Sequence, residues 1–421
     1  MQKNRLVYID NLRLLMIVFA VTLHLAMAYG GLGSWYYKEE GQIGALSLIF
    51  YNFVQLFTQS YFMAVMFLIT GYFAPASYDK KGFKGFAMDR LARLGKPTIL
   101  FVFVVSPIIQ MFMLDNIDKS IGGYWRYVYS FEFLQRFGPL WFTVTLLAFS
   151  LAYAAFRKLS GSFKSASPAE RTDERTANGQ TSSPVDGLAS SPAERTSERT
   201  SERTANGTTT KKSEGGFPTM TAILGFILVL CASSFLIRIV YPMGTRLFSM
   251  PLNFMPQYAL FFAIGIKCKK GKWLDKLTYA WGKPWLVTGL VFGLVAWYVL
   301  VFGVEAAGGG FDMVLGGISW QSAAFCVWES IVAVSMAIGM IALFKEKLNK
   351  QGKFIKALSE DAFAVFVFHA PILVGFTLLA SPIELNLIPK FLALLPICIV
   401  SSFLFAHFVI RKIPVLWKLF S

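Results

Sequence analysis

His24 is the side chain in this sequence best placed to move a proton, and two ionisable residues share its helix. The segment Asp10-Asn-Leu-Arg13-Leu-Leu-Met-Ile-Val-Phe-Ala-Val-Thr-Leu-His24 is otherwise almost wholly apolar. Arg13 and His24 stand eleven positions apart, close to three full turns of helix, so they share one face about 16 Å apart along the axis. Asp10, three residues before Arg13, falls on that face as its ion-pair partner. Ionisable groups inside a membrane span are costly and default to a functional reading. The plainer alternative makes Asp10 and Arg13 an interfacial helix start and His24 an interhelical hydrogen-bonding group. The whole chain holds only three histidines, which weighs toward function.

Other polar residues stand in apolar surroundings. His369, in Phe366-Val-Phe-His369-Ala-Pro371, lies at a depth within about 6 Å of that of His24 when both helices enter from one side. Pro371 also frees a backbone carbonyl nearby. Glu329, in Val327-Trp-Glu329-Ser330, needs a partner or must stay protonated. His407, four residues before Arg411, is interfacial by position. Asn52, Gln55 and Gln59 form a polar stripe facing the bundle or a cavity, since amides facing lipid would go unsatisfied. Interhelical bonding and substrate contact both remain open for this stripe. Arg90 and Arg93 share a helix face and can fork around phosphate oxygens, although cytoplasmic topology accounts for their charge more simply.

These residues must be held by membrane helices. The chain is 55% hydrophobic and 15% charged, where soluble proteins average about 25% charged. Apolar runs lie near 10–30, 45–75, 95–113, 139–156, 217–239, 252–267, 283–303, 320–344, 359–380 and 388–410, and a helical crossing takes about 20 residues. The sequence therefore predicts an all-α, polytopic integral membrane bundle of about ten transmembrane helices. Helices one to four fall in 1–157 and helices five to ten in 217–421. The first run lacks a small-residue cleavage site and reads as an uncleaved signal anchor.

Of the 40 Lys and Arg, 32 fall in 1–9, 76–97, 157–216, 267–283, 345–356 and 411–421. The opposite connections hold six: Lys38, Lys119, Arg126, Arg136, Arg246 and Lys390. By the positive-inside rule both termini are cytoplasmic, in the cell inner (plasma) membrane. The net charge of +16 is thus topology, and no nucleic-acid partner is expected. Cys231, Cys268, Cys326 and Cys398 form no CxxC pair and no zinc spacing, so they read as packing thiols and no metal is expected. Residues 158–216 differ from the rest, with Ser-Pro-Ala-Glu-Arg-Thr at 167–172 and again at 191–196. With few aliphatic residues and nearly balanced charge, this stretch reads as a disordered cytoplasmic insert.

Taken in order, Arg13 and His24, Gly71-Tyr-Phe73, Arg90-Leu-Ala-Arg93-Leu94 with Pro97, Leu140-Trp141-Phe142, and Ser359 with Phe368-His369-Ala-Pro371 resemble membrane acyltransferase family 3. Within it the chain most resembles the branch containing the osmoregulated periplasmic glucan biosynthesis protein C. The resemblance covers essentially everything except 158–216. It implies transfer of an acyl group, acetyl or succinyl, from a cytoplasmic acyl-CoA-type donor to a hydroxyl of an extracytoplasmic glycan. No permanently bound cofactor is implied, and membrane lipid is a standing partner. Arg90 and Arg93 would bind the donor. His24 would be base or acyl carrier, with Asp10, Arg13 and Glu329 tuning the site and Asn52, Gln55, His369 and Trp141 contacting substrate. No hydrolase-like domain follows span ten, which leaves transfer to be completed here or by a separate partner. The alternative reading is a proton-coupled transporter or flippase of a carbohydrate-like substrate, although the two halves show no internal similarity.

Overall fold

A computed structural model describes residues 6–30, 32–33, 35–39, 44–165 and 216–420. The main helices are α1 (Val7–Ala28), α2 (Ala45–Arg90), α3 (91–113), α4 (Ile121–Tyr129), α5 (Trp141–Ser165), α6 (Met220–Val240), α7 (Met255–Lys270), α8 (Tyr279–Ala306), α9 (Trp320–Lys347), α10 (Lys353–Ala380) and α11 (Leu387–Phe405). A two-residue ribbon pairs β1 (Arg246–Leu247) with β2 (Met250–Pro251), antiparallel. The chain is an all-α polytopic membrane bundle. Residues 1–155 and 215–421 form one compact unit and Phe156–Glu214 another. Helix α5 runs on to Ser165, past the start of the expected insert, and 166–215 of that insert lie outside the described residues.

Among the described residues, eight helical stretches are long and apolar enough to cross a membrane. Two local features account for the difference from ten apolar runs. The second and third runs lie in one continuous stretch, Ala45–Met113, and α7 has only 16 residues. Beyond the second apolar run, Gly82, at φ 66° and ψ −179°, interrupts α2 in a conformation open mainly to glycine. Helix α3 alternates α turns with three wide π turns, Leu91–Gly95, Phe101–Val105 and Ile109–Met113. Pro97 and Pro107 stand in the α turns between them, where a missing N–H and a ring clash disturb the regular hydrogen-bond ladder.

The aromatic connection after α3 forms α4, capped by Ser120, whose hydroxyl accepts from the Gly123 N–H at 3.0 Å. Tyr127 donates to the Val102 carbonyl at 2.9 Å, while Ile121, Trp125 and Tyr129 remain exposed. Such a helix, bonded on one side and aromatic on the other, suits the membrane surface.

Helix α1 packs against α2, α9, α10 and α11. Its buried residues run from Tyr8 and Leu12 through Met16 and Val21 to Leu25, so it is a central helix rather than a lipid-facing one. Helices α6, α8 and α11 instead expose Leu228, Val299, Leu392 and similar side chains, which lipid tails solvate as well as another helix would.

Helices α2 and α7 cross at backbone contact. A Cβ on Gly71 would collide with the Phe262 carbonyl, and one on Gly265 with the Leu68 carbonyl. Small residues at such crossings let helices approach closely in lipid. Gly71→Ala and Gly265→Ala should each destabilise by about 1–3 kcal/mol, the usual range for overpacking. Gly225→Ala, which meets open space, should leave the melting temperature in detergent unchanged or raised. Equal melting temperatures for all three variants would contradict the close crossing.

Candidate active site

Helices α1 and α10 bring the two central histidines into contact. Phe366 O accepts from His369 Nδ1 at 2.8 Å, with Val365 O 3.3 Å away. A ring nitrogen facing two carbonyl oxygens must carry the proton. Neutral His369 then presents Nε2 as an acceptor, and His24 Nδ1 donates to it at 2.9 Å. His24 Nε2 is left with its lone pair, the form a general base requires. The carbonyl that Pro371 deprives of a helical donor is that of Val367, one residue beyond the carbonyl His369 uses.

The loop after α1 covers the pair. The Glu39 N–H donates to the Ala28 carbonyl at 2.9 Å, and the Glu39 carboxylate pairs with Lys390 at the start of α11. This return lays Trp35 flat on His24, with ring centroids 4.4 Å apart and planes 18° apart. His24 thus has an indole on one face and an imidazole bonded at its Nδ1 edge.

His24 and Trp35 line a cavity of about 260 Å³. Its walls come from the end of α1, Gln55–Met63 of α2, the start of α5 and the connections after α1, α4, α6 and α8. Those connections belong to the side poor in Lys and Arg. Gln55 and Gln59 of the polar stripe reach this cavity, whereas Asn52 is buried without lining it. Gln55 donates to the Leu32 carbonyl at 3.1 Å, and Gln59 to the Tyr258 hydroxyl at 2.6 Å. Trp141 also lines the cavity and stacks on Tyr258 at 5.5 Å.

The remaining ionisable residues lie elsewhere. Asp10 and Arg13 pair at 3.4 Å, about 16 Å along α1 from His24, with the Arg13 guanidinium 5.2 Å from the centre of the Phe73 ring. The adjacent Asn11 anchors that end of α1, donating to the Leu348 carbonyl at 2.6 Å. Arg90 lies over Phe86 and within electrostatic reach of Arg13. Asp89 holds both Lys81, at 2.7 Å, and Arg93, at 3.2 Å. The π turn beginning at Leu91 separates the two arginines, leaving Arg90 half-buried and Arg93 exposed. A basic cluster therefore stands at the opposite end of α1 from the cavity. His407 bonds Asp361 at 2.7 Å, in a network with Arg411 and Glu360.

Glu329 takes a partner that the sequence reading passed over. Arg238, fully buried near the end of α6, points one nitrogen at both Glu329 oxygens, 2.9 and 2.7 Å away. Its guanidinium lies 5.1 Å from the ring centres of both Phe254 and Phe325. The available signal was an arginine inside an apolar run, needing a counter-charge as Glu329 did. Arg246 was also missed, being one of few basic residues on its side. It lines the His24 cavity, and burial holds its guanidinium below the ordinary value against the opposing effect of Tyr258.

A buried histidine reached from one side by a cavity stands toward one end of α1, and a cluster of cations stands at the other. The acyltransferase domain family, acyltransferase family 3, matches residues 6–168 and 219–407, and the chain belongs to it. The match breaks where the repeat-rich insert stands. No curated protein and no solved structure matches the chain.

Removing one member of the Arg238–Glu329 pair strands the other charge. Arg238→Met or Glu329→Leu alone should destabilise by about 3–5 kcal/mol, whereas the double variant should recover most of the loss. Additive losses in a thermal double-mutant cycle would show that the two residues act independently.

Proposed function

We propose that this membrane acyltransferase moves an acyl group, acetyl or succinyl, from a cytoplasmic acyl-CoA-type donor to a hydroxyl of an extracytoplasmic glycan. The branch containing the osmoregulated periplasmic glucan biosynthesis protein C is its proposed place in the family. The chain would lie in the inner membrane with both termini cytoplasmic. The basic connections support this orientation, since the cluster of Arg13, Arg90 and Arg93 then stands inside and the His24 cavity opens outside.

The observation that carries the reading is the His369–His24 hydrogen bond, in which His24 uses Nδ1 as the donor, so that a neutral His24 keeps Nε2 as its free acceptor. The donor's phosphates rest on the basic cluster while its long arm carries the thioester toward His24. An acceptor hydroxyl enters the cavity against His24, Gln55 and Trp141. His24 Nε2 takes the hydroxyl proton as the oxygen attacks the thioester carbonyl. The new C–O bond forms, the C–S bond breaks, and the proton passes from His24 to the departing thiolate. His369 orients His24 rather than reacting. Glu329 acts from a distance, by holding Arg238 within electrostatic reach of Tyr258, the partner of Gln59.

Transfer measured with purified protein in vesicles tests these roles. His24→Gln should lower the rate by about 10²–10⁴-fold, the usual contribution of a general base, with donor binding retained. His369→Leu should cost about 10–100-fold, as loss of an orienting partner does in comparable His sites. Full activity in a folded His24→Gln protein would exclude the base. Replacing Arg90 and Arg93 together by Gln should weaken acyl-CoA binding without reducing the amount of folded protein. Lys at these positions should restore it only in part, lacking the bidentate fork. Unchanged donor affinity in the Gln pair would assign both arginines to topology alone.

A further inference from the structure

The cavity beside His24 has an electrostatic asymmetry that hydroxyl recognition does not require. Its lining includes Arg136 and Arg246 but no Asp or Glu. Arg136 has a carboxylate of its own, with Glu132 at 2.8 Å. Arg246 forms no ion pair among the described residues. One of its terminal nitrogens lies so close over Gly33 that a Cβ there would crowd it at 2.9 Å. The β1–β2 ribbon holds Arg246 in this place through its pairing with Pro251. Its charge lies within electrostatic reach of both His24 and Lys38. Two further residues of the lining, Trp35 and Asn253, each carry a buried N–H donor with no protein acceptor. A guanidinium without an ion pair and two unanswered donors in the lining of one cavity make a site short of negative charge.

We propose that Arg246, with Asn253 and Trp35, forms an anion-binding subsite next to His24 that takes a carboxylate or phosphate group carried by one of the two substrates. This rests on the proposed acyl transfer. The anion has two possible sources with the same chemistry. It is either the free carboxylate of a dicarboxylic acyl group, reaching past His24 from the donor side, or an acidic substituent on the glycan entering from outside. A planar guanidinium binds such a group bidentately and selects it over a neutral one of the same shape. Charge-assisted hydrogen bonds are strong enough to give about a 10- to 100-fold preference.

Binding to the purified full-length protein in nanodiscs, measured by calorimetry, separates the sources. One arm compares succinyl-CoA with butyryl-CoA. The other compares a neutral glucan oligosaccharide with the same oligosaccharide bearing a carboxylate or phosphate. Wild-type protein should prefer the charged member of one pair by about 10- to 100-fold. Arg246→Gln should remove that preference while keeping the affinity for the neutral member, which also reports that the variant is folded. Arg246→Lys should keep part of it. Preference in the donor arm assigns the subsite to the acyl carboxylate, and preference in the acceptor arm assigns it to the glycan. Equal binding of charged and neutral members in both arms, or a preference that survives Arg246→Gln, overturns the subsite and leaves acyl transfer standing. Binding of no donor and no glycan of either charge overturns both.

Discussion

The hydrogen bond between His24 and His369 is the constraint around which the rest of the site is arranged. In a low-dielectric interior an imidazole nitrogen left without a partner is costly, and a satisfied one is held firmly. The bond spans 345 residues of sequence, so it exists only while α1 and α10 remain in register. The Phe366 carbonyl sets the proton on His369, His369 sets the proton on His24, and the choice of tautomer passes along three groups to the nitrogen beside the cavity. Trp35 closes one face of His24 and limits its freedom to rotate. The Glu39–Lys390 pair, tying the loop to α11, does for the indole what α10 does for the imidazole.

Charge is distributed along α1 in keeping with this arrangement. One end carries Asp10 and Arg13 beside Arg90, a region of mobile-ion chemistry near water. The other end carries a neutral histidine pair that needs no counter-ion. Between them, Leu14 to Leu23 are almost wholly apolar, so the charged and the neutral ends of the helix are separated by sequence that does not favour polar groups. The buried Arg238–Glu329 pair is neutral as a unit. Its aromatic walls and the paired carboxylate let the Arg238 charge sit inside the bundle. Arg246 is the exception, a cation in the cavity that makes no ion pair among the described residues.

The close crossing of α2 and α7 has a different physical basis. It adds backbone proximity to buried side-chain contacts such as Phe67 on Tyr258, and only glycine at positions 71 and 265 permits it. The same two helices meet again where Gln59, a cavity residue of α2, donates to the Tyr258 hydroxyl of α7.

Much of this was written in the sequence. Hydropathy fixed the helical, membrane-spanning class, since the backbone in lipid must satisfy itself. Helical periodicity placed Arg13 with Asp10 and put Gln55 and Gln59 on one stripe, because position along a helix fixes direction within it. Comparable depth was readable for His24 and His369, but contact was not. Depth follows from counting residues along each helix, whereas contact depends on how each helix is rotated and which neighbour it meets. The same limit hid the partner of Glu329, 91 residues away in α6, although the need for one was evident. Charge spacing also suggested that Arg90 and Arg93 share a face. A π turn separates them, a local departure from α geometry that the i, i+3 rule does not foresee. Sequence determined which residues had to be satisfied; only the packed bundle decided by whom, because azimuth and neighbour are properties of several helices at once.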